Sequence, residues 1–337
     1  MRESGELSRL NEALPAGVEW VFIGCGSSFY LAQSAAASWN LLTGGTARAI
    51  PASEIMLFPQ LLPQGCQPVL ISRSGYTSEV IEVAKYIEEK LRVPTLAVTC
   101  GTATPLEEIS RHVLRLTAAD EKSTVMTRSF TSMLLALQML AAERSGHRDF
   151  AAALESLPAK TEPHLANMQT TIRSLVDSHK FADYVFLGQG PFFGIAQESM
   201  LKVKEMSCSY AQCFHTLEFR HGPKAIVSAE TLLTFFLSES GFESETSVLE
   251  EMKELGGRTL VVTHAANAAV KKSTDFLIEL PLGVPEIARL AAAVIPGQLL
   301  GFHTGMAKGL NPDEPRNLTR VVMLTGESDG GPPRATA

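Results

Sequence analysis

Cysteine is scarce in this chain of 337 residues, and its pattern excludes two kinds of stabilised fold. The five cysteines, Cys25, Cys66, Cys100, Cys208 and Cys213, are odd in number, and no two have the Cys-x-x-Cys spacing of a zinc site. We therefore expect neither a disulfide framework nor a structural metal, and we expect a reduced, cytoplasmic protein.

Long apolar runs are also missing. A membrane-spanning helix needs about 18 or more consecutive apolar residues, and the nearest candidate, from Leu290 to Phe302, is interrupted by Pro296 and Gly297. The N-terminal sequence MRESGELSRL is charged and lacks the apolar core of a secretion signal. These absences predict a chain with no membrane segment and no signal peptide.

An excess of basic residues is the third absence. The chain has 29 Lys and Arg against 36 Asp and Glu, a formal net charge of −7, which argues against nucleic acid or an anionic membrane as the main partner. Hydrophobic residues make up 45% and charged residues 19%, which is ordinary for a globular enzyme. The length predicts two domains.

Short apolar runs alternate with longer helical patterns along the chain. The near-continuous apolar runs are typical of parallel strands covered on both faces, and they predict strands at Trp20–Cys25, Pro68–Ser72, Thr95–Thr99, Val113–Leu116, Tyr184–Leu187, Leu232–Leu237, Thr259–Thr263 and Phe276–Leu280. The helical patterns cover Ser28–Leu42, Ser78–Leu91, Thr127–Arg144, Gly194–Met206, Glu245–Leu255 and Glu286–Met306. This alternation predicts an α/β fold with mostly parallel sheets.

The chain also repeats itself. Residues 21–33 (VFIGCGSSFYLAQ) and 185–197 (VFLGQGPFFGIAQ) agree at seven of 13 positions, at a constant offset of 164 residues. The alternative is that any strand–Gly-x-Gly–helix turn looks alike, but a domain-sized offset favours duplication. We predict a first domain over residues 1–160, a second over 161–325, and a disordered tail over 326–337, which lacks apolar residues to bury.

Two turns at helix N-termini are candidates for anion binding. The turn Gly24–Ser28 lacks the third glycine of a dinucleotide site, because Phe29 stands there. The turn at residues 72–78 (SRSGYTS) carries four hydroxyls around one glycine, and hydroxyls with helix amides suit a phosphate monoester. The alternative is an ordinary N-cap serine with turn residues.

A third cluster is acidic and basic. Glu198, Lys202 and Glu205 have the i, i+4, i+7 spacing of one helix face, so a carboxylate beside an ammonium is available as a general base. The alternative is a solvated salt-bridge stripe. His221 precedes Gly222 and Pro223 and is therefore expected at a turn, where a histidine is more often unremarkable than catalytic.

Five motifs in one order resemble the tandem sugar-isomerase (SIS) domains of phosphosugar-handling enzymes. They are GCGSS, SRSGYTSE, QESMLKVKEMS, EFRHGPKAI and PDEPRNLTRVV, and the resemblance extends from about Trp20 to Val322. Their order is similar to that in the isomerase half of the glutamine–fructose-6-phosphate amidotransferases. The run MTRSFTSM at 126–133 looks like the tagatose-6-phosphate ketose/aldose isomerase branch. The resemblance implies two doubly wound, flavodoxin-like parallel-sheet domains and no cofactor.

The resemblance also implies a set of sugar-phosphate ligands in the first domain. Ser28, Ser72, Ser74 and Thr77 match the residues that bind the phosphate, and Arg73 is expected to contribute through its backbone. A lysine near the sugar in the amidotransferases is matched here by Arg320, and an arginine cannot form an imine at neutral pH.

The catalytic residues implied by the resemblance lie in the second domain. Glu205 matches the base that moves a proton between C1 and C2, and Lys202 matches a lysine close to it. His221 matches the histidine that opens the sugar ring, reaching the site from the other subunit of a homodimer.

These implications lead to an expected function and to its rivals. We expect an aldose–ketose isomerase or isomerising deaminase of a hexose or hexosamine 6-phosphate. The first strand begins near Trp20, so we expect no glutaminase domain. The alternatives are a sugar-phosphate-binding regulator without catalysis, a fructosamine-6-phosphate deglycase, and a lyase or etherase of the same superfamily.

Overall fold

A computed structural model describes residues 5–322, and the chain divides within this range into two compact units. The first unit comprises residues 5–122, 128–145 and 319–322, and the second comprises residues 123–127 and 146–318. The division differs from the predicted boundary at residue 160 because the helix Arg148–Thr161 lies in the second unit. The tail predicted at 326–337 lies outside the described residues.

The first unit contains one parallel sheet of five strands, in the order β2-β1-β3-β4-β5. The strands are β1 (Trp20–Gly24), β2 (Ala47–Pro51), β3 (Gln67–Ile71), β4 (Leu96–Thr99) and β5 (His112–Arg115). The helices are α1 (Glu6–Ala13), α2 (Ser27–Thr43), α3 (Ala52–Leu57), α4 (Ser78–Lys85), α5 (Pro105–Ile109) and α6 (Arg128–Ser145). A π-helical turn, Tyr86–Leu91, extends α4.

The second unit contains another parallel sheet of five strands, in the order β10-β9-β8-β6-β7. The strands are β6 (Asp183–Gly188), β7 (Ala211–His215), β8 (Thr231–Phe236), β9 (Arg258–Thr263) and β10 (Phe276–Glu279). The helices are α7 (Arg148–Thr161), α8 (Leu165–Ser178), α9 (Phe192–Ser207), α10 (Phe242–Glu254), α11 (Ala268–Lys272), α12 (Leu290–Ala293) and α13 (Ile295–Ala307).

The duplication predicted from the sequence is confirmed, as is the fold class of two tandem α/β domains. Strand β1 and helix α2 correspond to β6 and α9, and the two sheets have the same strand order when each is read from its edge strand, β2 or β7. Gly26 and Gly190, which stand at equivalent turns, even have the same φ of 54°. The seven matched positions therefore belong to one structural unit that occurs twice.

Two strands were missed in the sequence, and both are edge strands. β2 and β7 lie at the edge of their sheets, and most of their residues are half-buried. The predicted central strands, by contrast, are continuously buried. The sequences of β2 and β7, ARAIP and AQCFH, are interrupted by Arg48 and Gln212 and so lack an apolar run. The other two edge strands, β5 and β10, keep such a run and were predicted.

The strand order positions the functional loops. In each sheet the order reverses between two neighbouring strands, β1 and β3 in the first unit and β6 and β8 in the second. Ligands of open α/β sheets bind outside the carboxyl ends of the strands at such a reversal. The loops after these strands are therefore the places to look for a site.

One helical segment of the described chain, Glu286–Ala307, is long and apolar enough by length and composition to cross a membrane, although the sequence predicted none. Pro296 does not break it, because the proline lies in the first turn of α13, where its missing N–H is not needed. Of its most apolar stretch of 18 residues, 61% is buried inside the protein. At Gly297 a Cβ would lie 2.1 Å from Ser199 Oγ, so α13 packs closely on α9 as a core helix does.

Candidate functional site

The loop after β3 folds its hydroxyls into a small hydrogen-bonded network. The hydroxyl oxygens of Ser72 and Thr77 lie 3.0 Å apart, and the Gly75 N–H donates to Ser72 Oγ over 3.1 Å. The Tyr76 N–H donates to Ser74 Oγ over 3.1 Å. The network holds the loop in one conformation directly before the first turn of α4, where helix amides favour an anion.

Any side chain at Gly75 of this loop would be strained. Its φ is +73°, in the left-handed region, and a Cβ built there would lie 2.3 Å from Thr104 Oγ1. The turn needs glycine for both its conformation and its close contact. The tight turn at Gly75 brings the hydroxyls on its two sides close together.

Ser28 belongs to the neighbouring loop of the same sheet edge. It lies in the first turn of α2 and is buried, and its N–H donates to the Cys25 carbonyl over 3.1 Å. Strand β1, which leads to it, pairs directly with β3. The structure thus places Ser28 and the loop at residues 72–78 at one reversal of the strand order.

Arg73 uses its side chain as well as its backbone. The guanidinium is buried, with Nη1 3.9 Å from Glu121 Oε1 and Nη2 3.5 Å from the Arg320 carbonyl oxygen. Burial and the neighbouring Arg320 lower the pKa of Arg73. The backbone role expected for Arg73 stays a prediction, but its side chain also ties the loop to the end of the first unit.

The sequence analysis missed two acidic residues that organise this region. Asp120 holds the Arg320 guanidinium through both carboxylate oxygens, each 2.7 Å from Nη2. Glu121 accepts bonds from the Arg128 and Ser129 N–H groups at the start of α6, and it approaches Arg73. The adjacent acidic pair before a predicted helix was a signal for such capping. Arg320 is engaged by Asp120, and its role toward a substrate stays a prediction.

Helix α9 of the second unit carries a buried ion triad. Lys202 Nζ lies 3.1 Å from Glu198 Oε1 and 2.6 Å from Glu205 Oε2. The side chains of Glu198 and Lys202 have no exposed surface, whereas that of Glu205 is 20% exposed. The prediction that the three share one helix face is confirmed, and the alternative of a solvated stripe is wrong for Glu198 and Lys202.

The electrostatics of the triad keep the lysine charged. Burial by itself lowers the pKa of Lys202, but the carboxylates of Glu198 and Glu205 outweigh it and raise the pKa. A buried ammonium is tolerated only with such partners. The arrangement therefore presents one partly exposed carboxylate, that of Glu205, fixed by a permanent cation beneath it.

His221 lies at a turn, as predicted, and is exposed. Its N–H donates to the Glu218 carbonyl over 2.9 Å. The neighbouring residues Arg220 and Lys224 both pair with Glu251 of α10, at 2.7 and 2.6 Å, and so fix the turn. The turn borders a surface cleft of about 520 Å³ lined by Leu217, Arg220, His221, Glu243, Ser244 and Ser247.

Thiols and metal ligands contribute little to these sites. All five cysteines are free, and burial raises the pKa of Cys25 and of Cys100 to about 12, so neither is a thiolate at neutral pH. Within residues 5–322 no cluster of three or more His, Cys, Asp or Glu side chains is placed to hold a metal ion.

The predicted site residues fall into two groups. The first unit contains every predicted substrate-binding residue: Ser28, Ser72, Arg73, Ser74, Thr77 and Arg320. The second unit contains the predicted catalytic residues Lys202, Glu205 and His221. Contacts within the first group join Ser72 to Thr77 and Arg73 to Arg320, and in the second group Lys202 to Glu205.

Comparison with known proteins gives matches over most of the chain. The SIS domain profile matches residues 19–143 and 182–299. Over 286 residues, 79% of this chain and 45% of the relative, the sequence is 29% identical to the isomerizing glutamine–fructose-6-phosphate aminotransferase of Thermosynechococcus vestitus. This chain spans about half the length of the curated relatives it matches.

Two solved structures are similar over nearly their whole length. The glucosamine-6-phosphate deaminase of Thermotoga maritima superposes with a TM-score of 0.76 and 27% identity, covering 96% of this chain and 98% of that one. The tagatose-6-phosphate ketose/aldose isomerase of Escherichia coli superposes with a TM-score of 0.79, covering 93% and 89%, but at 20% identity it shows the fold alone.

Proposed function

The chain belongs to the SIS domain family, and on that premise we propose that it is an aldose–ketose isomerase or isomerising deaminase acting on a hexose or hexosamine 6-phosphate. Among its relatives, the similar aminotransferase is named for fructose 6-phosphate and the similar deaminase for glucosamine 6-phosphate. Both names concern six-carbon sugar phosphates. The proposal rests on residues of this chain, since it spans about half of the curated relatives.

The observation that carries the proposal is the buried triad on α9. A lysine without exposed surface is costly to bury, and here two carboxylates surround it. One carboxylate is enough to neutralise one ammonium, so the second, partly exposed Glu205 is available for chemistry. A carboxylate held in place at the edge of a buried ion pair suits the transfer of a proton between adjacent carbons.

In the isomerase reaction, Glu205 is the base. It removes the proton from C2 of the open-chain aldose while the C1 carbonyl oxygen is protonated, which gives an enediol. The protonated Glu205 then returns the proton to C1 as the C2 hydroxyl loses its own, and a ketose results. Lys202 contributes by holding the carboxylate in position through the 2.6 Å contact.

In the deaminase reaction, the same proton transfer acts on a sugar with an amine at C2. Abstraction at C2 gives an enolamine, and protonation at C1 gives a ketimine. Water then adds to the C2–N bond, and the products are a ketose phosphate and ammonia. The chemistry differs from that of the isomerase only in this last hydrolysis, so one base serves both.

The phosphate is bound by the first unit. The hydroxyls of Ser72, Ser74 and Thr77, together with Ser28 and the amides of the first helical turn, offer neutral donors to a phosphate monoester. Binding of this non-reacting group provides energy that orients the reacting carbons. Arg73 adds its backbone, and Arg320 lies beside it.

Ring opening is assigned to His221, acting on the site of a second copy of this chain in a homodimer. Its exposed position at a turn pinned by Glu251 suits a residue that reaches a partner. We place the enzyme in the cytoplasm, without an organic cofactor, metal or nucleic-acid partner.

Deuterium incorporation tests the base. The full chain is incubated in D2O with glucosamine, galactosamine and fructose 6-phosphates in separate samples, and proton NMR follows C1 and C2. We expect deuterium at C1 or C2 with the wild-type chain and a loss of at least 100-fold in its rate with Glu205→Gln, of the order that removing a general base costs. Release of ammonia separates the deaminase from the isomerase.

The matched control is Glu250→Gln, which removes an exposed carboxylate from α10 of the same unit. It should exchange at the wild-type rate. Full activity of Glu205→Gln would refute the assignment of the base. If no substrate takes up deuterium, fructosamine 6-phosphates are added to the panel. If these also take up none but the chain still binds sugar phosphates, the result would favour a sugar-phosphate-binding regulator without catalysis.

Mixing two inactive variants tests the role of His221. Glu205→Gln and His221→Asn are each expected to be inactive as pure dimers. If His221 acts on the partner's site, a mixture of equal parts should recover about a quarter of the wild-type activity, because half of the dimers are mixed and one of two sites in each is intact. A mixture with no recovered activity would place His221 in the site of its own chain.

A further inference from the structure

The second unit contains a second copy of the loop that the first unit uses for phosphate. Residues 72–79 read SRSGYTSE and residues 238–245 read SESGFESE, and five of the eight positions agree. Each loop follows the middle strand of its sheet, β3 or β8, and precedes a helix, α4 or α10.

The two loops share one hydrogen bond, although their backbones differ at the common glycine, where φ is +73° at Gly75 and −107° at Gly241. In the first, the Gly75 N–H donates to Ser72 Oγ over 3.1 Å, and in the second, the Gly241 N–H donates to Ser238 Oγ over 2.9 Å. Both loops stand where the strand order of the sheet reverses. The second loop therefore has the position of an oxyanion-binding loop and one of the first loop's hydrogen bonds.

A carboxylate of the protein itself lies on the donors of the second loop. Glu286 Oε1 accepts the N–H of Glu239 and, over 3.3 Å, that of Ser240, and Glu286 Oε2 accepts the Ser240 hydroxyl over 2.7 Å. Two amides and one hydroxyl thus surround one anion. In the first loop, no acceptor for the equivalent amide, that of Ser74, is found among residues 5–322.

A buried arginine marks the same place independently. Arg289 is 4% exposed, and its Nη2 pairs with the carboxylate of Glu239 in the loop. Its Nη1 is buried and has no hydrogen-bond partner in the described part of the chain. Compared with the first loop, where Arg73 pairs with Glu121, the charges of the pair are exchanged. The second loop therefore retains a cation with unused hydrogen-bonding capacity.

We propose that the second loop is an oxyanion-binding site that the Glu286 carboxylate occupies in place of a phosphate, and that removing this carboxylate opens it to inorganic phosphate and phosphate monoesters. The native chain then binds one phosphate, in the first loop. The inference uses the phosphate role proposed for that first loop.

Physical reasons favour the internal carboxylate over a free anion. Glu286 is tethered to the chain, so its effective concentration at the loop exceeds that of a dissolved anion. Glu243 stands where the first loop has Thr77, and its negative charge opposes a second anion. One carboxylate also accepts bonds from both amides and from the Ser240 hydroxyl.

Phosphate counting in the full chain tests the proposal. Equilibrium dialysis against inorganic phosphate, at constant ionic strength, compares the wild type with Glu286→Ala. We expect one phosphate per wild-type chain and one more, bound more weakly, in the variant. When the first loop is also changed by Ser74→Ala and Thr77→Val, each count should fall by one. The chain with Glu286 should then bind no phosphate, and the chain with Glu286→Ala should bind one. Glu254→Ala, which removes an exposed carboxylate of α10, is the charge-matched control and should add none.

A second variant covers the case in which Glu286→Ala does not fold. Glu286→Gln keeps the size of the side chain but replaces the anion by a neutral amide, and phosphate should raise its thermal midpoint more than that of the wild type. A folded Glu286 variant that binds no additional phosphate overturns the proposal, as does a wild type that already binds two. A wild type that binds no phosphate refutes the phosphate role of the first loop instead. The additional phosphate bound by the Glu286 variant still decides the proposal for the second loop.

Discussion

Replacing the Glu245 carboxyl by an amide should change how the stability of the second unit depends on pH. Glu245 has no exposed surface, and its carboxylate accepts the Ser238 hydroxyl and, over 3.2 Å, the Ser238 N–H. Burial raises the pKa of Glu245 to about 7, and the nearby negative charge of Glu286 adds to this, although the bonds from Ser238 oppose it.

The magnitude follows from linkage. The carboxyl titrates at about 7 in the folded protein against an ordinary value of 4.5, and each pKa unit is worth about 1.36 kcal/mol. The folded state therefore holds this proton more tightly than the unfolded chain does. Its contribution to stability, about 3 kcal/mol, is complete below pH 4.5 and is lost as the pH rises through 7.

Urea unfolding at pH 5, 6, 7 and 8 measures the effect in wild type and Glu245→Gln. The amide does not titrate, so the free energy of unfolding of the variant minus that of the wild type should rise by about 2.5 kcal/mol between pH 5 and 8, since part of the contribution is already lost at pH 5. Placing an NH2 group against the Ser238 N–H adds a cost, but that cost does not depend on pH. The test is therefore how the difference in unfolding free energy between Glu245→Gln and the wild type changes with pH, and not the size of that difference at one pH.

Glu254→Gln, at an exposed position of the same helix, is the control and should leave the pH dependence unchanged. A difference between Glu245→Gln and the wild type that stays constant from pH 5 to 8 would refute the reasoning, because the carboxyl would then titrate alike in the folded and unfolded chain.

Three further predictions concern other parts of the molecule. Lys202→Met leaves two carboxylates without their buried cation and should lower the free energy of unfolding by about 3–5 kcal/mol, measured by urea denaturation. Gly75→Ala, at a φ of +73° and against Thr104, should cost about 1–3 kcal/mol and weaken inorganic phosphate binding in dialysis. In a thiol-modification assay at pH 8, one thiol per chain, that of exposed Cys208, should react fast, and Cys208→Ser should remove this phase. The other four thiols are half-buried or buried, and the pKa of Cys25 is raised to about 12.

Most of the fold was predictable from local sequence patterns. Central strands such as β1 and β8 are buried on both faces, so their apolar runs stand out. The edge strands β2 and β7 were not found, because polar residues, Arg48 and Gln212, interrupt their apolar residues. Whether a segment pairs at an edge depends on the strand already in place, which a local pattern does not contain.

The candidate site was predictable where its residues are close in sequence. Ser72 and Thr77 are five residues apart, and Lys202 and Glu205 share a helix turn, so turn chemistry and helix spacing were sufficient. Asp120 was missed, because its partner Arg320 is 200 residues away. Contacts of this kind depend on how the chain closes on itself.

By itself, the sequence determined the α/β class, the duplication and the hydroxyl loop at residues 72–78, because periodicity, repeats and turn residues act over a few positions. The tertiary structure decided whether the stripe on α9 is solvated or buried, since burial depends on which helix face meets the core. It also decided whether the second loop is open to a ligand, since the sequence of that loop is similar to that of the first. There, Glu286 arrives from 46 residues beyond Ser240, and that long-range contact separates a loop open to a ligand from one that is already filled.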